Sequence, residues 1–204
     1  FKLKIKRNKI LHSNNYKFVL NAVGNHNILN ATASIIASKL VGVENLFINK
    51  ALKNYIGVKR RFSFLGKKNK ALIYDDYAHH PTEIKEVLNG VKESYKKEEI
   101  FCVFQPHRIS RLKDLKTEFS SCFKKADSVI LCPIYTAGEK IKLGFNYFNF
   151  AKDIIKNSKV KVYLVKDQYE LSKFIKKYIF GKKVIIGMGA GSISNWIKEL
   201  PTLL

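Results

Sequence analysis

Short apolar runs alternate with helical segments along the chain after residue 57, and this alternation constrains the fold more than any other feature of the sequence. The apolar runs lie at 72–74, 100–104, 128–131, 160–165 and 184–186, and the helical segments lie near 82–97, 110–125, 148–157, 168–179 and 192–199. Strands that alternate with helices build βαβ units, in which parallel strands are covered by helices. The sequence therefore predicts an α/β domain with a mostly parallel sheet over residues 58–204.

The first 57 residues follow a different pattern, which predicts the tail end of another domain. The segment is expected to contain strands at 2–6 and 16–23 and helices at 27–40 and 46–55. In the longer helix apolar residues recur at helical spacing, and Gly42 follows as a stop signal. We place the domain boundary near Gly57, which gives two domains, 1–57 and 58–204.

The net charge of +22 favours a polyanionic partner when it is considered alone. However, only five of the 38 basic residues are arginine, the side chain best suited to bidentate recognition of phosphates and bases. A solvated lysine surface accounts for the charge equally well. Nucleic acid is therefore not the expected partner, and a basic nucleic-acid-binding α/β module is kept as an alternative function.

The hydropathy of the chain and its first residues predict its subcellular location. No apolar run approaches the ~20 residues needed to cross a bilayer, and no signal stretch opens the chain. We therefore expect a cytoplasmic protein with no membrane partner. Because the first residue is Phe1 rather than methionine, we also expect the sequence to begin inside a longer polypeptide.

Two pairs of polar residues lie in or just after the first domain. Asn27 and Asn30 are three residues apart near the start of a predicted helix, so their amides share one face and match the donor and acceptor pattern of a purine edge. The alternative is that Asn27 caps the helix. Arg60 and Arg61 follow the domain boundary and are suited to a phosphate or ribose, the alternative being a solvated basic turn.

The densest polar segment is 75–83, which follows a predicted strand and opens a helix at Pro81. Its candidate site residues are Asp75, Asp76, Tyr77, His79 and His80. Ligands of open α/β sheets bind at the carboxyl ends of strands, so two carboxylates and two imidazoles are well placed here. Aspartate suits ribose hydroxyls, and histidine can bind an anion or move a proton. A metal pair of His80 and Glu83 is an alternative, but we expect no metal site.

A second polar segment, 104–111, also follows a predicted strand. Arg108 and Arg111 are three residues apart at a helix start, where backbone N–H groups attract anions, and His107 precedes them. This pattern predicts capture of a carboxylate or phosphate, with a plain surface pair as the alternative. The segment 135–139 could line the same cleft, and the glycine-rich segment 187–192 is predicted to be a tight packing turn.

Taken in order, these segments resemble the Mur ligases, and within them the member that adds L-alanine to UDP-N-acetylmuramate. The matching elements are Gly24-x-His26-Asn27-x-x-Asn30, Gly57-Val58-Lys59-Arg60-Arg61-Phe62, Asp75-Asp76-Tyr77-Ala78-His79-His80-Pro81-Thr82-Glu83, Phe104-Gln105-Pro106-His107-Arg108-x-Ser110-Arg111, Tyr135-x-Ala137-Gly138-Glu139 and Gly189-Ala190-Gly191-Ser192-Ile193. Six ordered matches over nearly the whole chain are far more specific than any one of them. A related muropeptide-recycling ligase, which resembles the chain around Asp75 and Asp76, is the other alternative.

The resemblance implies a three-domain enzyme of cell-wall precursor synthesis that requires ATP and Mg²⁺ and acts through an acyl phosphate. Residues 1–57 would end the central ATP-binding domain, and 58–204 would form the Rossmann-like C-terminal domain. The sequence contains no Gly-x-x-Gly-Lys-Thr phosphate loop, so we expect this portion to be inactive without the remaining N-terminal and central regions of the polypeptide.

The resemblance also implies a role for each candidate residue. ATP would contact His26, Asn27 and Asn30 at its adenine, and Arg61 and Asp76, with Arg60 and Asp75 as second choices, at its ribose and phosphates. The alanine and muramoyl end would face Tyr77, His79, His80, His107, Arg108 and Arg111. His79 and Arg108 would be catalytic, supplying positive charge to a tetrahedral oxyanion.

Overall fold

The structure is a computed structural model that describes residues 2–5, 14–20, 25–55, 57–139 and 146–204. The chain divides into two compact units, Phe1–Gly57 and Val58–Leu204. Each unit has its own arrangement of strands and helices.

The first unit contains a short hairpin and two helices: β1 Lys2–Ile5, β2 Asn14–Lys17, α1 Asn25–Leu40 and α2 Asn45–Lys53. The strands pair antiparallel, with Lys2 opposite Lys17. The second strand is therefore shorter than the predicted 16–23, of which 21–23 lie outside the described residues.

The long helix α1 ends as its sequence predicts. Gly42 has a φ of +84°, a left-handed conformation that favours glycine, and its N–H donates to the carbonyl of Lys39. The helix buries Ile35, which packs with Phe18 and with Ile48 of α2 in a small core.

The second unit is an α/β domain in which strands and helices largely alternate along the chain. In chain order its elements are β3 Ser63–Lys68, β4 Ala71–Asp76, α3 Pro81–Ser94, β5 Glu99–Phe104, α4 Ile109–Asp114, α5 Lys116–Ser121, β6 Ser128–Leu131, α6 Tyr147–Ser158, β7 Lys161–Leu164, α7 Gln168–Tyr178, β8 Lys183–Met188 and α8 Ile193–Leu203. They form a six-stranded sheet in the order β3-β4-β8-β5-β6-β7. All neighbouring strands run parallel except β3, which is antiparallel to β4, so the predicted mostly parallel sheet is confirmed.

Helices cover both faces of this sheet. The helices α3, α5 and α6 pack on one face, where Leu88, Phe119 and Ile154 are buried. The helices α7 and α8 pack on the other, where Leu171 and Ile197 are buried. Burying such a side chain contributes about 1.5–3 kcal/mol, so the two apolar layers hold the sheet between them.

Two elements differ from the prediction. The strand β3 was not predicted, because its pairing with β4 shifts register between Phe64 and Gly66, and this irregularity removes the alternation that marks a strand. The predicted helix 110–125 is broken at Leu115, whose ψ is 28°, into α4 and α5. Neither proline nor glycine marks that break in the sequence. Among the described helices, none is long and apolar enough to cross a membrane.

Candidate functional site

Three loops meet at one edge of the sheet because β8 lies between β4 and β5. Met188, at the end of β8, is paired with both Asp76 at the end of β4 and Phe104 at the end of β5. Beyond these ends, the N–H of Gly189 donates to the carbonyl of Asp76 at 3.3 Å, and the N–H of Gln105 donates to the carbonyl of Met188 at 3.0 Å. The segments that the sequence singled out after β4, β5 and β8 are therefore adjacent.

Asp76 is 2% exposed, and both of its carboxylate oxygens accept hydrogen bonds from backbone N–H groups of other residues. One oxygen accepts from the N–H of Phe62 and the other from the N–H of Ala78, each at 2.7 Å. Burial raises the pKa of Asp76 to about 6, although these two hydrogen bonds and the charge of Arg61 lower it. Asp76 thus ties the segment before β3 to the loop after β4.

Asp75 and Arg60 form a second buried connection. The Arg60 Nε lies 3.7 Å from Oδ2 of Asp75, which is 1% exposed. The same oxygen accepts from the hydroxyl of Ser194 at 2.6 Å, and the Arg60 Nη2 donates to the carbonyl of Gly189 at 2.6 Å. Arg61, by contrast, is exposed, so the two arginines occupy different environments.

His79 is held by the loop that contains it. Its Nδ1 lies 2.9 Å from the carbonyl oxygen of Tyr77. Because a carbonyl oxygen only accepts, Nδ1 carries a proton, and in the neutral ring the lone pair is on Nε2. Glu83 lies 3.5 Å from the same Nδ1. His79 is therefore arranged to present Nε2 as a base, or as an N–H donor when it is protonated.

His80 has a structural role that the sequence analysis did not assign. It is the N-cap of α3, where its Nδ1 accepts from the N–H of Thr82 at 3.3 Å and Pro81 occupies the first helical position. Glu83 completes the cap by accepting from the N–H groups of His79 and His80 at 3.0 and 3.2 Å.

This cap also bears on the metal alternative. Burial raises the pKa of Glu83. The backbone N–H and the charge of His79, the N–H of His80 and the charge of Arg61 lower it by more, so the pKa of Glu83 is lowered overall. His80 and Glu83 are thus engaged in starting α3. Within the described ranges, no group of three or more His, Cys, Asp or Glu is arranged to hold a metal ion.

His107 links the loop after β5 to both neighbouring loops. Its ring stacks on Tyr135 with centroids 5.6 Å apart and planes 11° apart, and it meets the His79 ring edge-on at 5.6 Å. Burial lowers the pKa of His107, and the charges of His79, Arg111 and Arg108 lower it further. Its Nδ1 is buried without a hydrogen-bond partner among the described residues.

The start of α4 does not have the free N–H groups that the sequence predicted for an external anion. The carboxylate of Glu139 accepts from the N–H groups of Ile109 at 2.8 Å and Ser110 at 3.1 Å and from the Ser110 hydroxyl at 2.6 Å. The side-chain and backbone hydrogen bonds of Ser110 lower the pKa of Glu139, outweighing the small effect of burial. An acidic side chain of the chain itself therefore fills this helix start.

The two arginines of this segment, Arg108 and Arg111, differ in their exposure. Arg108 has a φ of +69° and donates its backbone N–H to the carbonyl of Tyr135 at 2.9 Å, while the residue as a whole is exposed. Arg111 is half-buried, and its Nη1 is buried without a hydrogen-bond partner among the described residues. Both cations lie near His107. Among the described residues, neither of them forms an ion pair.

Gln105 is a site residue that sequence reasoning missed. It is 3% exposed, donates through Nε2 to the Ser192 hydroxyl at 3.0 Å and accepts at Oε1 from the N–H of Ile193 at 3.0 Å. Gln105 therefore connects the end of β5 to the start of α8. A glutamine directly after a predicted strand was the signal available in the sequence.

The glycine-rich turn packs tightly, as predicted. A Cβ on Gly189 would lie 2.8 Å from the carbonyl oxygen of Gln105, and a Cβ on Gly191 would lie 2.5 Å from Cγ of Tyr135. Such distances leave no room for a side chain. The segment brings Tyr135, and with it His107, close to the loop after β8.

The predicted adenine contacts lie in the first unit. The helix α1 begins at Asn25, so Asn27 lies within its first turn rather than at its N-cap, and Asn30 follows on the same face. Asn27 is half-buried and Asn30 is exposed, whereas the side chain of His26 lies outside the described part.

The sheet, its carboxyl-edge loops and the match to known proteins define the class of this chain. Residues 60–191 match the family model described as "Mur ligase, glutamate ligase domain". The match covers more than half of the chain, and the chain belongs to the Mur ligase family.

Two curated relatives of this chain carry the same name. The UDP-N-acetylmuramate--L-alanine ligase of Pelagibacter ubique (strain HTCC1062) is 62% identical over 188 residues, which are 92% of this chain and 40% of that protein. The protein of the same name from Hydrogenobaculum sp. (strain Y04AAS1) is 42% identical over 176 residues, which are 86% of this chain and 38% of that protein. The chain thus spans about two fifths of the length of these curated relatives.

Solved structures agree with the fold. The UDP-N-acetylmuramate-alanine ligase of Thermotoga maritima superposes with a TM-score of 0.75 at 29% identity, covering 91% of this chain and 39% of that chain. A murein peptide ligase from Psychrobacter arcticus superposes with a TM-score of 0.70 at 22% identity, covering 100% of this chain and 41% of that chain, and supports the fold alone.

Proposed function

We propose that this chain is the carboxyl-terminal part of an ATP-dependent ligase that joins L-alanine to UDP-N-acetylmuramate in the cytoplasm. The observation that carries the proposal is the identity of 62% over 188 residues with the Pelagibacter ubique ligase of that name. Residues 1–57 would complete the central ATP-binding domain, and 58–204 would be the C-terminal domain. The remaining domains would lie in the rest of the polypeptide.

The proposed reaction forms an amide bond. Phosphoryl transfer from ATP converts the muramoyl carboxylate to an acyl phosphate, and the amine of L-alanine attacks the carbonyl carbon. Phosphate then leaves, and the nitrogen loses a proton. The chain must therefore hold a carboxylate, accept a proton and stabilise the oxyanion that forms at the attacked carbon.

The loops after β4 and β5 supply groups for these tasks. We assign Arg108 to the oxyanion, because it is exposed and fixed at its backbone by Tyr135. His79 is assigned to proton transfer at Nε2, because Nδ1 is engaged by the Tyr77 carbonyl. Arg111, whose buried Nη1 has no hydrogen-bond partner among the described residues, is assigned to the carboxylate of a substrate, with His107 beside it.

The nucleotide contacts are divided between the two units in this proposal. Asn27 and Asn30 would contact adenine, with His26 beside them, and Arg61 fits the phosphates because its guanidinium is exposed. Asp76 would offer a ribose only the lone pairs that Phe62 and Ala78 leave unused. Bound ATP would supply the phosphoryl group, and Mg²⁺ would be held mainly by residues in the rest of the polypeptide.

The test is an assay of the full-length polypeptide that contains this chain. The polypeptide should release ADP from MgATP when UDP-N-acetylmuramate and L-alanine are both present, and mass spectrometry should detect UDP-N-acetylmuramoyl-L-alanine. A matched reaction replaces L-alanine with the L-Ala-γ-D-Glu-diaminopimelate tripeptide. ADP release that depends on the tripeptide instead of L-alanine would assign a recycling ligase and contradict the proposal.

A further inference from the structure

Arg60 lies where three loops of the second unit meet, just before β3. Its side chain reaches Asp75 at the end of β4 and the carbonyl of Gly189 after β8. Its guanidinium carbon also lies 4.6 Å from the centroid of the Tyr77 ring, a cation–π contact. Arg60 itself has a φ of +62°, a conformation that a non-glycine residue keeps only where its surroundings impose it.

The partner of Arg60 is a carboxylate that has almost no access to water. Asp75 is 1% exposed, and its described hydrogen-bond donor is the Ser194 hydroxyl. A buried charge of this kind requires an opposite charge close to it. Arg60 supplies that charge, so its guanidinium cannot leave Asp75 for a ligand at low cost.

Arg60 also fixes the orientation of Tyr77. The Tyr77 N–H donates to the carbonyl of Arg60 at 2.7 Å, while the Arg60 guanidinium lies over the Tyr77 ring. Tyr77 in turn holds His79 in two ways, through its carbonyl oxygen at Nδ1 and through its ring, whose centroid lies 4.9 Å from that of His79. A chain of contacts therefore leads from Arg60 through Tyr77 to His79.

Arg61 differs from its neighbour in its exposure and in its ion pairing. It is exposed, its guanidinium carbon is 6.0 Å from the Tyr77 ring centroid, and its backbone N–H donates to the carbonyl of Val58. No ion pair between described residues involves it. Its charge is thus available to a ligand, whereas that of Arg60 is committed.

We infer that Arg60 is a positioning residue, which fixes Tyr77 and through it the imidazole of His79, while Arg61 serves the anionic ligand. This inference rests on the proposed function. It assigns different roles to two adjacent arginines, which the resemblance gave only as first and second choices for the same ligand. The positioning role requires the planar guanidinium of Arg60. A lysine would keep a positive charge beside Asp75 but could not contact the Gly189 carbonyl and the Tyr77 ring at the same time.

Steady-state kinetics of the full-length polypeptide test the division between the arginines. The variants are Arg60→Lys, Arg61→Ala and, as a matched control, Lys59→Ala, which removes an exposed neighbouring cation. Arg60→Lys should lower kcat by about 10- to 100-fold at an unchanged KM for ATP, because small misplacement of a reacting group costs that much. Arg61→Ala should raise the KM for ATP by about tenfold, the effect of losing one charged hydrogen bond. Lys59→Ala should match the wild type.

A double-mutant cycle tests the route through Tyr77. If Arg60 acts through that ring, Arg60→Lys and Tyr77→Ala should lower kcat less together than the product of their separate effects. Independent effects, or an Arg60→Lys variant that raises the KM for ATP as Arg61→Ala does, would overturn the inference. So would a kcat for Arg60→Lys equal to that of the wild type. Failure of the proposed function is distinct, since the wild type itself would then lack alanine-dependent ADP release.

Discussion

Adjacent residues of the same type have separate roles at the edge of the sheet. Asp75 pairs with Arg60 and Ser194, whereas Asp76 accepts two backbone N–H groups. Both carboxylates are buried, and each holds a different pair of segments together. These two carboxylates therefore form part of a framework that holds the loops in place.

The buried carboxylate of Asp76 should make stability depend on pH. Its pKa is raised by burial from 3.8 to about 6, so the folded chain keeps this proton at pH values where the unfolded chain has lost it. The contribution that favours folding is complete below pH 3.8 and is lost as the pH rises through about 6. At 1.36 kcal/mol per pKa unit, the loss amounts to about 3 kcal/mol.

The variant Asp76→Asn isolates this contribution because asparagine does not titrate. The free energy of unfolding of the wild type, minus that of the variant, should fall by about 3 kcal/mol between about pH 3 and pH 7, as measured by urea titration. Other titrating groups, such as Glu83 with its lowered pKa, contribute equally to both proteins, so their contributions cancel in the difference. A difference that stays constant over this range would show that Asp76 does not titrate as its burial implies.

Most strands could be predicted at the level of elements, because central parallel strands are buried on both faces and have continuous apolar sequences. The strands β4, β5, β6 and β8 are of this kind, and the loops that follow three of them carry the candidate site. The edge strand β3 was missed because a register shift interrupts its pattern.

The details of the candidate site were less predictable than its location. The sequence indicated that polar segments would gather at the strand ends, and they do. It did not indicate that Glu139 would fill the start of α4 or that His80 would cap α3, because both depend on how distant segments pack. Local spacing identified the residues, and tertiary contacts determined which atoms remain available.

Two glycine variants test whether the turn after β8 positions the neighbouring loop. In Gly191→Ala the new Cβ would lie 2.5 Å from Cγ of Tyr135 and 2.6 Å from Oε1 of Gln105, so both must move. Such overpacking should cost about 1–3 kcal/mol of stability. Gly66→Ala is the matched control, because its Cβ would meet only Pro201, at 3.5 Å.

Thermal unfolding provides the comparison. Gly191→Ala should lower Tm by several degrees, since about 1 kcal/mol corresponds to roughly 2–8 °C in domains of this size. Gly66→Ala should leave Tm within about 2 °C of the wild type. Equal Tm values for the two variants would mean that the turn yields without disturbing Tyr135 and Gln105.

At the scale of the whole molecule, the chain consists of one α/β unit with a candidate site and a smaller unit that carries the predicted adenine contacts. It covers about two fifths of the length of its curated relatives. The site in the second unit presents cations and imidazoles but, within the described ranges, no cluster suited to a metal ion. The proposed function assigns these cations and imidazoles to contacts with the substrate and the oxyanion.

The loops after β4 and β5 are proposed to form one catalytic site, and an Arg108 variant is the sharpest test of this proposal. In the full-length polypeptide, Arg108→Ala should lower the kcat for alanine-dependent ADP release by about 100- to 1,000-fold, as expected when an oxyanion loses a positioned donor. The control Lys113→Ala removes an exposed cation of the same helix, and should not change kcat. Both variants should unfold at the wild-type temperature. A wild-type kcat in the Arg108→Ala variant would show that Arg108 does not stabilise the oxyanion and would contradict the proposed catalytic site.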